Sequence, residues 1–196
     1  MNKNLITVIA LLGIVFFVGV WAVSGYNSLV NKEEAVSSQW SNVENQYQRR
    51  ADLIPNLVAT VKGYAKHESS TLEGVVAARA KATQITVNPE NLTPEKLQEY
   101  QKAQGEITSA LGRLMMITEN YPDLKANQNF LELQAQMEGT ENRISVERNR
   151  FNDMAKEYNT SIRRFPTNIM AGMFGFEKKP YFEAEEGTEK APKVEF

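Results

Sequence analysis

The chain has 196 residues, with 22 Lys and Arg against 24 Asp and Glu, a formal charge of -2 and no cysteine. Basic and acidic residues balance along nearly its whole length, so it offers no general surface for nucleic acid. The missing cysteine excludes disulfides, thiolate metal sites, thiol nucleophiles and a lipidated N-terminal cysteine, and the single histidine, His67, cannot form a His-based metal cage by itself. No cofactor is expected.

Leu5 to Val23, LITVIALLGIVFFVGVWAV, carries no charged or strongly polar side chain. As a helix it would extend roughly 28 Å, close to the ~30 Å hydrocarbon core of a bilayer, which predicts a single membrane span. A cleaved signal peptide is the competing reading, since Ala22 and Ser24 form a small-x-small pattern. The apolar part of such a signal is usually about 7 to 15 residues, shorter than this run, which favours an uncleaved anchor. Lys3 and the terminal amine precede the segment, and Lys32 beside Glu33 and Glu34 follows it. That narrow difference in basic residues points the N-terminus to the cytoplasm and the rest to the outer side of the membrane. Residues 1–26 read as the anchor, 27–165 as a helical bundle, and 166–196 as an apolar segment with a flexible tail.

The stretch from Asn27 to His67 predicts one long helix. Trp40, Tyr47, Ile54 and Val61 form a row at seven-residue spacing, and Val36, Val43, Arg50, Leu57 and Tyr64 form the row beside it. A 3.5-residue period favours coiled-coil-like packing of long helices. Ser24 and Gly25 would make a weak hinge to the anchor. Pro55 removes a backbone donor and would cost ~3 kcal/mol in a regular helix interior. Both rows nevertheless hold their phase across it, which predicts a kinked but continuous helix.

In SSTLEGVVAARAKATQI, Ser70 and Glu73 have the spacing of a capping box, and the alanines would allow close helix approach. TPEKL opens the next helix, with Thr93 as N-cap and Pro94 in the first turn. Its row is Tyr100, Ile107, Leu114 and Tyr121. ENYPDLKANQNF reads as a tight turn between helices. From Asn127 to Arg164 the row is Phe130, Met137, Ile144, Phe151, Tyr158 and Phe165, with Gln134, Glu141, Arg148, Ala155 and Ile162 alongside. Period-two alternation is lacking, so the predicted fold is all-α: an N-terminal transmembrane helix followed by an elongated antiparallel bundle of about four helices.

Arg50 stands among apolar row neighbours, and an unpaired buried guanidinium would cost about 3 to 5 kcal/mol. Glu141 and Arg148 lie on the inward edge of the last long helix. The expectation is a structural polar layer of Arg50, Glu141 and Arg148, with an Arg50–Glu141 pair that sets helix register and survives exchange of the two charges. A solvated helix edge is the plainer alternative. His67 and Glu68 form an acid/base pair only on paper, because no third partner is visible. A di-iron bundle would need two Glu-x-x-His pairs, which one histidine cannot supply.

After the last long helix, FPTNIMAGMFGF gathers Ile169, Met170, Met173, Phe174 and Phe176 into an adaptable apolar surface suited to a partner, a membrane face or a second copy. Closure of the bundle end is the simpler use. EKKPYFEAEEGTEKAPKVEF reads as a flexible tail.

The blocks RRADLIPNLVATVKGYAKHE, TENYPDLKANQNFLELQAQMEGTENRI and ERNRFNDMAKEYNTSIRRFP resemble, in order, the signature stretches of the bacterial LemA family, over nearly the whole chain. The resemblance implies one N-terminal membrane segment and a helical bundle, includes magnetosome-associated relatives, and brings no catalytic residue or cofactor. The expected function is a non-enzymatic, membrane-anchored scaffold or adaptor of the cell envelope that contacts lipid through its N-terminal helix and self-associates. The alternatives are an accessory subunit of a membrane-bound protease, in contact with a membrane protein partner, or a membrane-remodelling protein.

Overall fold

A computed structural model describes residues 3–183. Six α-helices follow in order: α1 (Lys3–Tyr64), α2 (Ser69–Gln84), α3 (Pro94–Thr118), α4 (Pro122–Lys125), α5 (Gln128–Arg163) and α6 (Thr167–Phe174), with a 3₁₀ turn at Pro89–Asn91. No strand occurs among the described residues, so the fold is all-α.

α1 runs unbroken for 62 residues, about 93 Å at the helical rise. Its first part is an exposed apolar helix, long and apolar enough to cross a membrane. From Leu29 onward the same helix is the spine of the bundle, burying Val36, Trp40, Val43, Tyr47, Ile54, Leu57 and Val61. Ser24 and Gly25 form no hinge, because helical hydrogen bonding continues through them. Gly25 instead makes room for a neighbour: a Cβ there would meet Met170 Cε at 2.8 Å.

α5 lies antiparallel to α1. Lys32 pairs with Glu157, Gln39 Nε2 donates to Glu147 Oε2 at 2.7 Å, and Asn127 Nδ2 donates to Tyr64 Oη at 2.9 Å, so one helix rises as the other descends. Phe130, Met137, Ile144, Phe151 and Tyr158 are buried along this contact. The row ends there: Phe165 lies beyond Arg163, the last residue of α5, and is 81% exposed. α2 and α3 pack together and complete the far half of the bundle.

α3 begins as its sequence dictates, with the Thr93 hydroxyl accepting from Lys96 N and Pro94 in the first turn. The first-turn carboxylate of Glu95 is held below its ordinary pKa by a backbone hydrogen bond and then by Thr93. The start of α2 differs from expectation. Ser70 lies inside the helix, the cap position is Glu68, and no side chain caps it, so Ser70 and Glu73 form no capping box. In the predicted turn after α3, Pro122 nucleates the single-turn α4, which buries Leu124.

The chain after α6 departs furthest from expectation. Gly175 (φ 74°) ends that helix in the left-handed region open to glycine, and the chain turns back along the bundle. Residues 177–183 are not a flexible tail: they run extended along α5, with Lys179, Pro180 and Phe182 buried. The remainder of the predicted tail lies outside the described residues.

Candidate functional site

The core has two apolar clusters. One, at the end facing the exposed part of α1, centres on Trp40, Phe151, Tyr158 and Phe182. The other, at the far end, centres on Ile54, Leu57, Ile107, Leu114 and Phe130. Between them in α1 stands Arg50, 1% exposed.

Its guanidinium is almost fully satisfied. Nη1 donates to Glu141 Oε1 at 2.7 Å and to Thr108 Oγ1 at 2.9 Å, while Nη2 donates to the Gln104 side-chain oxygen at 2.7 Å and the Gln104 carbonyl at 3.0 Å. The group lies 5.2 Å from the centre of the Tyr47 ring. Only Nε lacks a partner among the described residues. Glu141 is about one-third exposed, so a partly solvated carboxylate neutralises a buried cation. This arrangement joins α1, α3 and α5 at one level and separates the two apolar clusters.

Arg148 turns to the extended segment instead. With Arg50 and Glu141 it lines an open cleft of about 450 Å³, but its Nη2 donates to the Glu183 carbonyl at 2.8 Å and its guanidinium lies 5.1 Å from the Phe182 ring centre. Gln101 Nε2 donates to the same carbonyl at 2.7 Å.

Two residues that sequence reasoning passed over hold the extended segment. Asn159 donates from Nδ2 to the Lys179 carbonyl at 2.8 Å and accepts from Lys179 N at 2.9 Å. Asn152 makes the same reciprocal pair with Phe182, at 2.9 and 2.8 Å. Seven helical residues advance ~10.5 Å and three extended residues ~10 Å, so asparagines seven apart on α5 meet backbone amides three apart on the segment. The available signal was that spacing, one position along from the Phe151–Tyr158 row. Phe182 then stacks on Trp40 at 5.8 Å and 9°, and Lys179 Nζ pairs with Glu33 at 2.6 Å.

Pro55 sits outward and exposed within the continuous α1. Its ring nitrogen cannot donate to the carbonyl four residues earlier, that of Ala51. Arg79 of α2 supplies the replacement, donating from Nε to Ala51 O at 2.7 Å.

The apolar segment after α5 divides between two uses. Met170 is buried against Gly25, and Phe174 and Phe176 meet the Tyr26 ring edge-on at 5.0 and 5.7 Å. Ile169 and Met173 face outward, 52% and 75% exposed. His67 is exposed in the turn between α1 and α2, and Glu68 accepts from the Tyr121 hydroxyl at 3.1 Å rather than serving the histidine. Among the described residues no cluster of His, Asp and Glu is arranged to hold a metal ion.

These features define a helical bundle built on one unusually long helix, its first part apolar and uncovered, with the Arg50 guanidinium bonded within the bundle. The chain belongs to the LemA family, whose sequence model matches residues 39–196. It is similar to Magnetosome protein MamQ 2 of Paramagnetospirillum magneticum, 28% identical over 193 residues that cover 90% of this chain and 71% of the relative. It is 28% identical to Magnetosome protein MamQ of Magnetospirillum gryphiswaldense over 174 residues, covering 80% of this chain and 64% of that one. Protein LemA of Metamycoplasma hominis is 26% identical over 175 residues, covering 89% and 75%.

Proposed function

We propose that the chain is a non-enzymatic, membrane-anchored scaffold of the bacterial cell envelope, with α1 crossing the inner membrane and the bundle on the periplasmic side. The observation that carries this reading is the continuity of α1: an exposed apolar helix passes without a break into the spine of a packed bundle. Such a joint transmits position from the bilayer to the domain, as a scaffold requires. The Arg50 constellation supports a structural role, because all four of its Nη bonds go to protein groups and fix the relative heights of three helices.

Self-association is also part of the proposal. Most positions of the seven-residue rows are consumed within one chain, so contacts between copies fall to the uncovered part of α1 and to the outer bundle surface. The test is purification of the full chain from gently solubilised membranes, with measurement of particle mass and of co-purifying proteins. A self-assembly without a stoichiometric companion supports the scaffold. A stoichiometric membrane protease replaces it with the accessory-subunit reading. Protease accessibility of the bundle in intact spheroplasts tests the side, and protection there overturns the periplasmic assignment.

A further inference from the structure

We propose that α6 is an interfacial helix, seated in the headgroup and outer acyl region of the same bilayer that α1 crosses. This inference rests on the anchor reading of α1 and adds a second, lateral contact with lipid.

The placement follows from three contacts. Met170 fills the space above Gly25, and Phe174 and Phe176 pack on Tyr26, so α6 is held at the level where the apolar run of α1 ends at Val23. Three residues of helix separate Val23 from Tyr26, a rise of about 4.5 Å. A span ending at Val23 therefore puts α6 within the headgroup layer, which is roughly 5–7 Å thick on each side of the hydrocarbon core and is where interfacial helices lie.

The surface turned away from α1 has matching chemistry. Ile169 and Met173, four residues apart on α6, are 52% and 75% exposed, Phe165 in the turn before the helix is 81% exposed, and Phe174, at the edge against Tyr26, is 58% exposed. Large apolar side chains gathered at such exposure call for a cover. The patch is continuous with the uncovered lower α1 through Phe174 and Tyr26, so the material that surrounds α1 is positioned to cover it. Arg163 and Arg164, both exposed, flank the patch where phosphate headgroups would lie. A lipid surface satisfies the apolar face and these cations together.

The native chain has no cysteine, so single labels are unambiguous. Full-length Met173→Cys, Ile169→Cys, Met116→Cys and Val15→Cys variants would each carry an environment-sensitive fluorophore and be reconstituted in phosphatidylcholine vesicles. The vesicles would contain lipid with a nitroxide either near the glycerol end or near the methyl end of the acyl chain. The expected result is loss of Met173 and Ile169 label emission with the shallow nitroxide, shielding of both from aqueous iodide, and the reverse for Met116, exposed on the distal half of α3. Iodide quenching at Met173 and Ile169 equal to that at Met116 overturns the proposal. Shielding from iodide without lipid quenching also overturns it, and assigns the patch to a second copy or another protein. A Val15 label untouched by the deep nitroxide overturns the anchor reading itself and this inference with it, whereas quenching at Val15 alone leaves the anchor standing and removes only the interfacial helix.

Discussion

Arg79 Nε donates to the Ala51 carbonyl at 2.7 Å, the acceptor that Pro55 strands four residues downstream. A proline in the spine of a bundle is thus accommodated by a side chain from the neighbouring helix, which also ties α2 to α1. Arg79→Ala should destabilise the protein by about 1–3 kcal/mol, the usual range for a buried polar group left unpaired. In a Pro55→Ala background the restored backbone N–H can bond Ala51 O, and the effect of Arg79→Ala should shrink. Denaturant unfolding of the four proteins measures the coupling, and additive losses would refute the linkage.

Arg50 predicts a different pattern. Removing its charge partner or the arginine alone should cost about 3–5 kcal/mol, because each leaves buried polar groups uncompensated. Exchanging the charges, Arg50→Glu with Glu141→Arg, should not restore stability. The sequence alone suggests that it would, but the guanidinium also serves the Gln104 carbonyl and Thr108, and a carboxylate cannot donate to that carbonyl. Thermal melts of the single and double variants decide the point.

The extended segment should release in steps. Asn159→Ala and Asn152→Ala each lose a reciprocal pair of bonds, and amide hydrogen exchange at Lys179 or Phe182 should accelerate locally. Phe182→Ala should cost about 3–5 kcal/mol through the cavity left beside Trp40. Unchanged exchange in both asparagine variants would refute the clamp.

Alkaline stability follows from Tyr100. Burial, then Tyr47 and Glu44, raise its phenol above the ordinary value of 10.0. Its contribution is complete below that value. As pH rises past it, the unfolded chain ionises while the folded protein keeps its proton, so stability falls. Tyr100→Phe should flatten the decline above about pH 10, read by denaturant midpoints.

Tyr158 offers a contrast. Its hydroxyl is buried without a partner among the described residues. Tyr158→Phe should be neutral or slightly stabilising, since it removes a desolvated group and no bond. A loss above about 1 kcal/mol would show that the hydroxyl is bonded in solution.

Residue order alone determined the parts of this protein that follow from helical periodicity. The apolar run of α1, the seven-step rows through Val43, Ile54, Ile144 and Phe151, and the Thr93 cap are each set by residues close in sequence, where helix geometry converts spacing into a face. Arg50 was conspicuous for the same reason, as one charge in an apolar row. What Arg50 bonds was decided by packing: Gln104 and Thr108 come from α3, more than 50 residues away, and no local pattern encodes that approach. The same holds for Arg79 reaching Ala51 and for residues 177–183. That segment is rich in charge and poor in period, and reads as tail by composition. It orders because Asn152 and Asn159 present amide pairs at the pitch of an extended backbone, a match between two elements that exists only once both are folded side by side.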